Sequence, residues 1–227
     1  SFSPILTLRG PVLMSPRYRL DPVAGLYHDG SRRLQDQFDS RRLADRLEEV
    51  KVRDHVDEGD RAFIEGLDMF FLATADAEGR PTCSYKGGDH GFVRVLDDHT
   101  LAFPNYDGNG MYLSAGNVLA NPAVGMLFID LERGHRMRLE GDATIDVDDP
   151  LAGEYPEAQF VVRVRARAVY PNCPRYIHRY ELVRRSRFLA ALGIPGRLTG
   201  SPGELVGALG AVEVARSGPR AIARAAR

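Results

Sequence analysis

The residues best suited to chemistry lie close together, between Cys83 and Pro122 (CSYKGGDHGFVRVLDDHTLAFPNYDGNGMYLSAGNVLANP). Lys86 ends an extended stretch and is followed at once by Gly87 and Gly88, and a polar turn from Asn105 to Gly110 then leads into a short helical stretch. Backbone N–H groups in glycine-rich turns and at a helix start attract anions, and a lysine ammonium adds the full charge that a phosphate requires. Of the thirty basic residues only Lys51 and Lys86 are lysines. An ammonium is a compact point charge that fits a narrow anion pocket. The competing reading gives Gly87, Gly88, Gly108 and Gly110 no role beyond the positive φ angles of tight turns.

Tyr85, Tyr106 and Tyr112 cluster around the same segment and offer flat rings for a heteroaromatic cofactor to stack on, although aromatics in strands also fill cores. His90, beside Asp89, could donate a proton or simply sit in a solvated loop. His135 and His178 have no partner at metal-ligand spacing, and Cys83 and Cys173 form no CxxC pair. No metal site is therefore expected, and the cysteines read as two buried thiols. Arg175 and His178 follow the last long strand and either reach a ligand or cap the fold. Arg163, Arg165 and Arg167 alternate along one strand, the pattern of a solvated face. Arg216, Arg220, Arg224 and Arg227 recur at helical spacing near the end of the chain, where a nucleic acid or a partner protein could use them.

These residues need elements to hold them. Residues 1–25 contain four prolines without a period and read as an extended arm. Residues 26–68 read as a helical lead-in. Leu34, Phe38, Leu43, Leu47 and Val50 recur at helical intervals, with Asp29 or Ser31 as cap, and a second helix led by Asp60 carries Phe63, Ile64 and Leu67 inward. Strands are expected at 69–75, 82–86, 91–96, 100–104, 124–130, 136–145 and 159–170, with a helical interruption at 111–121. The last strand alternates most cleanly, with Phe160, Val162, Val164, Ala166 and Ala168 on one face. A helical period returns from Arg175 to Leu192, and residues 193–227 form a tail. Short strands at close spacing fit a closed antiparallel barrel or a sandwich, since parallel winding would need more helices between strands. The fold class is mainly β with flanking helices (α+β).

In order along the chain, FFLATADAEGRP, NYDGNG and NVLANPAVGMLFID resemble the core of the pyridoxamine 5'-phosphate oxidase-like family. The likeness extends through GFVRVLDDHTLAF, LEGDATI and PNCPRYIHR, covers approximately residues 26–185, and is closest to the branch of predicted flavin-nucleotide-binding proteins. The resemblance implies an antiparallel split β-barrel over residues 69–192, a homodimer, and FMN in a groove between subunits. It also implies a flavin-dependent oxidoreductase acting on an unidentified small molecule. Carried over residue by residue, the cofactor-binding positions are Ser84, Tyr85, Lys86 and Gly87 after the hairpin. The turn and helix add Asn105, Tyr106, Asn109, Met111, Tyr112, Ser114 and Asn117.

One departure bears on the chemistry. The family places Arg or Lys in the turn and helix, whereas this chain has no cation between Asn105 and Asn121. Lys86 and backbone donors must hold the phosphate instead, because a buried phosphate without a cationic partner is costly. A deazaflavin, haem or an empty barrel stands beside FMN as an alternative, and a non-catalytic carrier stands beside the oxidoreductase. No residue presents itself as an acid, base or nucleophile of the protein's own.

The bulk composition sets outer bounds. With 44% hydrophobic residues and a formal charge of −1, the chain is that of a globular domain without the field that draws a protein to nucleic acid or an anionic membrane. Its longest apolar runs fall well short of the roughly 20 residues of a membrane span, and its N-terminus lacks the features of a signal peptide. A soluble, cytoplasmic protein is expected.

Overall fold

The computed structural model describes residues 25–186. The expected N-terminal arm, save its last residue, and the tail with its four arginines lie outside them. The chain divides into two compact units, Ser1–Val52 and Arg53–Arg227. Among the described residues no helix is long and apolar enough to cross a membrane.

The first unit holds two helices where the periodicity suggests one: α1 (Asp29–Gln37) and α2 (Arg41–Lys51). The apolar period runs through the break, which is set by Asp39 in the left-handed region at φ 50°. His28, and neither Asp29 nor Ser31, caps α1, its side chain accepting from the Gly30 N–H. Arg32 joins the helices by pairing with Asp45 at 2.5 Å and Glu48 at 3.2 Å.

The second unit opens with α3 (Glu58–Glu65), whose N-cap is Asp57. Asp60 stands at the third helical position and closes a reciprocal capping box, so the expected cap lay one half of the box too far along. Seven strands follow: β1 (Met69–Ala75), β2 (Pro81–Gly87), β3 (Arg94–Val95), β4 (Thr100–Tyr106), β5 (Ala123–Asp130), β6 (His135–Asp146) and β7 (Ala158–Pro171). Helix α4 (Leu113–Ala120) separates β4 from β5, and a short 3-10 helix (Pro150–Glu154) precedes β7.

All strand pairs are antiparallel, in the order β2-β1-β5-β6-β7-β4-β3. The sheet has two ends, β2 and β3, and so is not a closed barrel. It is nevertheless rolled. β1 and β4 stand four places apart in the order, yet the rings of Phe70 and Phe103 meet at 5.0 Å. Phe70 also touches Phe92 at 5.8 Å and Phe128 at 5.4 Å, which gathers both halves of the sheet around one aromatic core. This is the split-barrel arrangement.

The long strands bend where the register slips. In β6 and β7 the pairing shifts at Glu140/Gly141, leaving Arg167 as the extra residue. A side chain at Gly141 would lie 2.3 Å from the Arg165 carbonyl oxygen, so only glycine permits the strands to approach there. The bulge also resets the alternation of β7, whose inward series runs Phe160, Val162, Val164, Ala166 and then Val169 in place of Ala168.

Two further expectations fail. Cys83 and Cys173 are exposed. The helix read from Arg175 is absent over its described part, residues 175–186, where Tyr176 and Val183 are 90% and 96% exposed. A helical period without a surface to bury its apolar face is not enough to form a short helix.

Candidate functional site

The hairpin that carries the site is set by its turn. The Asp76 carboxylate accepts from the backbone N–H groups of Glu78 at 3.0 Å and Arg80 at 2.9 Å, with Gly79 at φ 81°. This fixes a register in which Thr74, Leu72 and Phe70 of β1 face Thr82, Ser84 and Lys86 of β2. The period of two sends those six side chains to the inner face and sends Cys83 and Tyr85 outward.

Helix α4 lies against the polar inner face of β2. The Asn117 amide donates to both Thr74 Oγ1 at 3.0 Å and Thr82 Oγ1 at 3.1 Å, and the two threonine hydroxyls are 2.9 Å apart. One turn earlier, the Ser84 and Ser114 hydroxyls meet at 3.1 Å. The turn before α4 is shaped by Asn109, whose side chain accepts from the Met111 N–H at 3.0 Å, and by Tyr112, left-handed at φ 48°.

Lys86 comes next along the same face. It opens into a small cavity bounded by Leu72, Phe103, Val118 and Val162, with Asn105 and Ser114 as the polar wall. The free side of β2 and the end of β4 thus approach each other across the gap of the split sheet. The ammonium has neither a hydrogen-bond nor an ion-pair partner among the described residues. Burial of the side chain holds its pKa below the usual lysine value.

Asn105 and Tyr112 belong to a second polar group, centred on Gln159 of β7. The Asn105 amide and the Tyr112 hydroxyl donate to Gln159 Oε1 at 3.0 and 3.1 Å, and Gln159 Nε2 donates to Asp107 Oδ1 at 3.3 Å. Gln159, Thr74 and Thr82 were not among the expected site residues. Thr74 and Thr82 flank the hairpin turn symmetrically, a signal that could have found them; Gln159 reaches the site only through the β4–β7 pairing.

Tyr85, Met111 and Tyr112 are 61%, 61% and 48% exposed and do not line the cavity; Tyr85 stands on the outer face of β2, its ring edge-on to that of Phe71 at 6.0 Å. Tyr106 does not line that cavity either. A register shift between Asn105 and Tyr106 and the alternation of the strand turn the Tyr106 ring into a separate cavity with Asp89, Arg94 and Tyr155. Burial, and then Asp89, raise its pKa.

The glycines divide as well. Gly110 has φ 71°, but Gly88 is needed for space, since a Cβ there would lie 2.2 Å from the Phe92 ring. His90 bonds the Gly66 carbonyl at 2.8 Å and anchors its own loop. In the arginine stripe, Arg163 pairs with buried Asp149 at 2.5 Å and Arg167 with Asp142 at 3.5 Å, as befits a solvated face laced by cross-links.

Residues 56–186, more than half of the chain, match the family model described as pyridoxamine 5'-phosphate oxidase. The chain belongs to the pyridoxamine 5'-phosphate oxidase family. No curated protein matches this family member. Among solved structures it is similar to HupZ of Group A Streptococcus at 20% identity, over 51% of this chain and 93% of that one, with a TM-score of 0.42. An FMN-binding protein from Syntrophomonas wolfei subsp. wolfei matches at 10% identity over 62% and 97%, with a TM-score of 0.39. HutZ, a haem storage protein from Vibrio cholerae, matches at 20% identity over 52% and 91%, with a TM-score of 0.35.

Proposed function

We propose that this family member binds FMN and serves as a flavin-dependent oxidoreductase on a small molecule. The observation that carries the reading is the Lys86 ammonium, half-buried and unpaired between Ser114 and Asn105 at the open seam of the sheet. A cation left without a counter-charge in a desolvated position is costly on its own. A phosphate supplies the counter-charge and accepts besides from whichever of the paired Ser84 and Ser114 hydroxyls does not donate to the other.

The cavity, about 10 Å³, encloses neither a phosphate nor a flavin, so the phosphate would meet Lys86 at its mouth. The isoalloxazine ring would therefore lie outside, beside the exposed Met111 and Tyr112 that precede α4. The exposed Met111 and Tyr112 support a homodimer in which a second copy covers the ring. Bound FMN supplies the two-electron chemistry. The chain's own residues bind and orient: Lys86 neutralises the phosphate, and Asn117 and its two threonines fix α4 against the hairpin.

The test is a spectral titration with FMN against riboflavin. Saturable binding that favours FMN is expected, and Lys86→Ala should weaken FMN by about tenfold or more while leaving riboflavin unchanged, as for a charge-assisted contact of roughly 1.5–3 kcal/mol. Equal losses for both flavins remove Lys86 from the phosphate site. Binding of a deazaflavin or haem in place of FMN assigns the groove to that cofactor.

A further inference from the structure

A second cavity, of about 20 Å³, lies away from Lys86, where the β2–β3 connection, β3, the end of β4 and the segment entering β7 come together. Its polar lining is Asp89, Arg94, Tyr106 and Tyr155. Tyr155 is only 3% exposed, and its buried hydroxyl has no hydrogen-bond partner among the described residues. Such a group forfeits the bond that water gives it in the unfolded chain. Its neighbours are occupied elsewhere. Arg94 donates to Glu154 and lies over the Tyr155 ring, 4.7 Å from its centroid, without bonding the oxygen. Asp89 accepts from Arg185 at 2.7 Å on Oδ1, which leaves Oδ2. The Tyr106 hydroxyl has no partner among the described residues. These groups nevertheless sense one another. Burial, and then Asp89, raise the pKa of Tyr106; burial pushes the Tyr155 phenol up to about 12 against the pull of Arg94, with Tyr106 adding to the rise. They interact without bonding directly, and one bridging molecule closes such a spacing.

We propose that this cavity is a permanent water site, in which one buried water accepts from the Tyr155 and Tyr106 hydroxyls and donates to Asp89 Oδ2. The water latches the loop that follows Lys86 to the end of β4 and to the entry of β7. The space admits one water and nothing larger, since a water needs about 10–15 Å³ of such volume. Three polar partners are the usual number for a buried water. The occupant is uncharged because the charges around it are already matched, Arg94 by Glu154 and Asp89 by Arg185. A chloride would face the Asp89 carboxylate, and a sodium ion the Arg94 guanidinium.

The test is a double-mutant cycle on the full chain, without flavin, in urea denaturation: Tyr155→Phe, Tyr106→Phe and the pair. Each single change removes one hydroxyl and keeps the ring, and should raise the unfolding constant about fivefold, the size of one ordinary hydrogen bond. The pair should raise it about tenfold, less than the product of the two, because losing either phenol already loosens the shared water. A Tyr155→Phe chain as stable as the wild type, or more stable, would mean that the hydroxyl is truly unpaired. Effects that simply multiply would mean that the two phenols share nothing. Either result overturns the proposal. A crystal structure of the full chain should show one water within hydrogen-bond distance of both phenols, and an anomalous signal there after a bromide soak would make the occupant an anion and overturn it too. No flavin enters these measurements, so they stand or fall independently of the FMN titration.

Discussion

The two strands of the site hairpin face each other residue by residue and yet end in opposite environments. The inner face of β1 is Phe70, Leu72 and Thr74, all buried; the inner face of β2 is Lys86, Ser84 and Thr82, all partly exposed. Phe70 and Lys86 are direct cross-strand partners. On one side of that pair the sheet continues into β5 and an aromatic core, and on the other it stops at a free edge. Apolar residues on β1 are rewarded by burial from both sides of the roll. The same residues on β2 would leave an apolar strip along an unpaired edge, which invites association with other strands. A polar inner face at the seam avoids that outcome, at the expense of a lysine without a partner. The hairpin thus changes within one strand spacing from a region built for stability to one with unused binding capacity.

The harshest test of this contrast is Phe70→Ala. The ring is fully buried and touches three other phenylalanines, so its loss should cost about 3–5 kcal/mol in urea denaturation. A cost below about 1 kcal/mol would mean that the core collapses around the gap and that β1 is not the stabilising side.

Asn117→Ala tests the clasp that joins the two faces. It removes the donor shared by Thr74 and Thr82, which retain their bond to each other, and should destabilise by about 1–2 kcal/mol. If α4 positions the phosphate wall, this variant should also weaken FMN binding in proportion to the loss of Ser114. Unchanged affinity together with lost stability would make the clasp a purely structural device.

Much of this contrast was open to reading before the fold was known. The strands announce themselves by alternation, and alternation alone already separates Tyr85 from Ser84 and Lys86, and Tyr106 from Asn105, because adjacent strand residues point to opposite faces. Other features had no local signal. The inward place of Val169 depends on a bulge opposite Gly141, and the role of Gln159 on a pairing between strands some fifty residues apart. The period through Phe38 continues smoothly although the backbone turns at Asp39, so pattern suggested one helix where geometry makes two. The period from Arg175 likewise leaves Tyr176, Tyr180 and Val183 exposed over its described part.

The smallest expected change has the opposite sign. Lys86→Met keeps the length of the side chain, matches the apolar wall of the cavity and removes the unpartnered charge, so it should stabilise the fold by about 1 kcal/mol, the gain being limited by partial solvent contact. The pH dependence identifies the cause. The folded chain holds the Lys86 proton less tightly than the unfolded chain does, so between the lowered pKa and the ordinary value of 10.5 the unfolded state binds more protons. Stability of the wild type should therefore rise with pH across that window, and the penalty should be complete below it. The methionine variant should lose this rise and show its advantage near neutral pH, with the two proteins converging as the pH approaches the ordinary lysine value. Urea melts of both chains from neutral to alkaline pH measure it. A constant difference at every pH would assign the gain to packing and not to charge, and would leave β2 polar for reasons unrelated to a waiting anion.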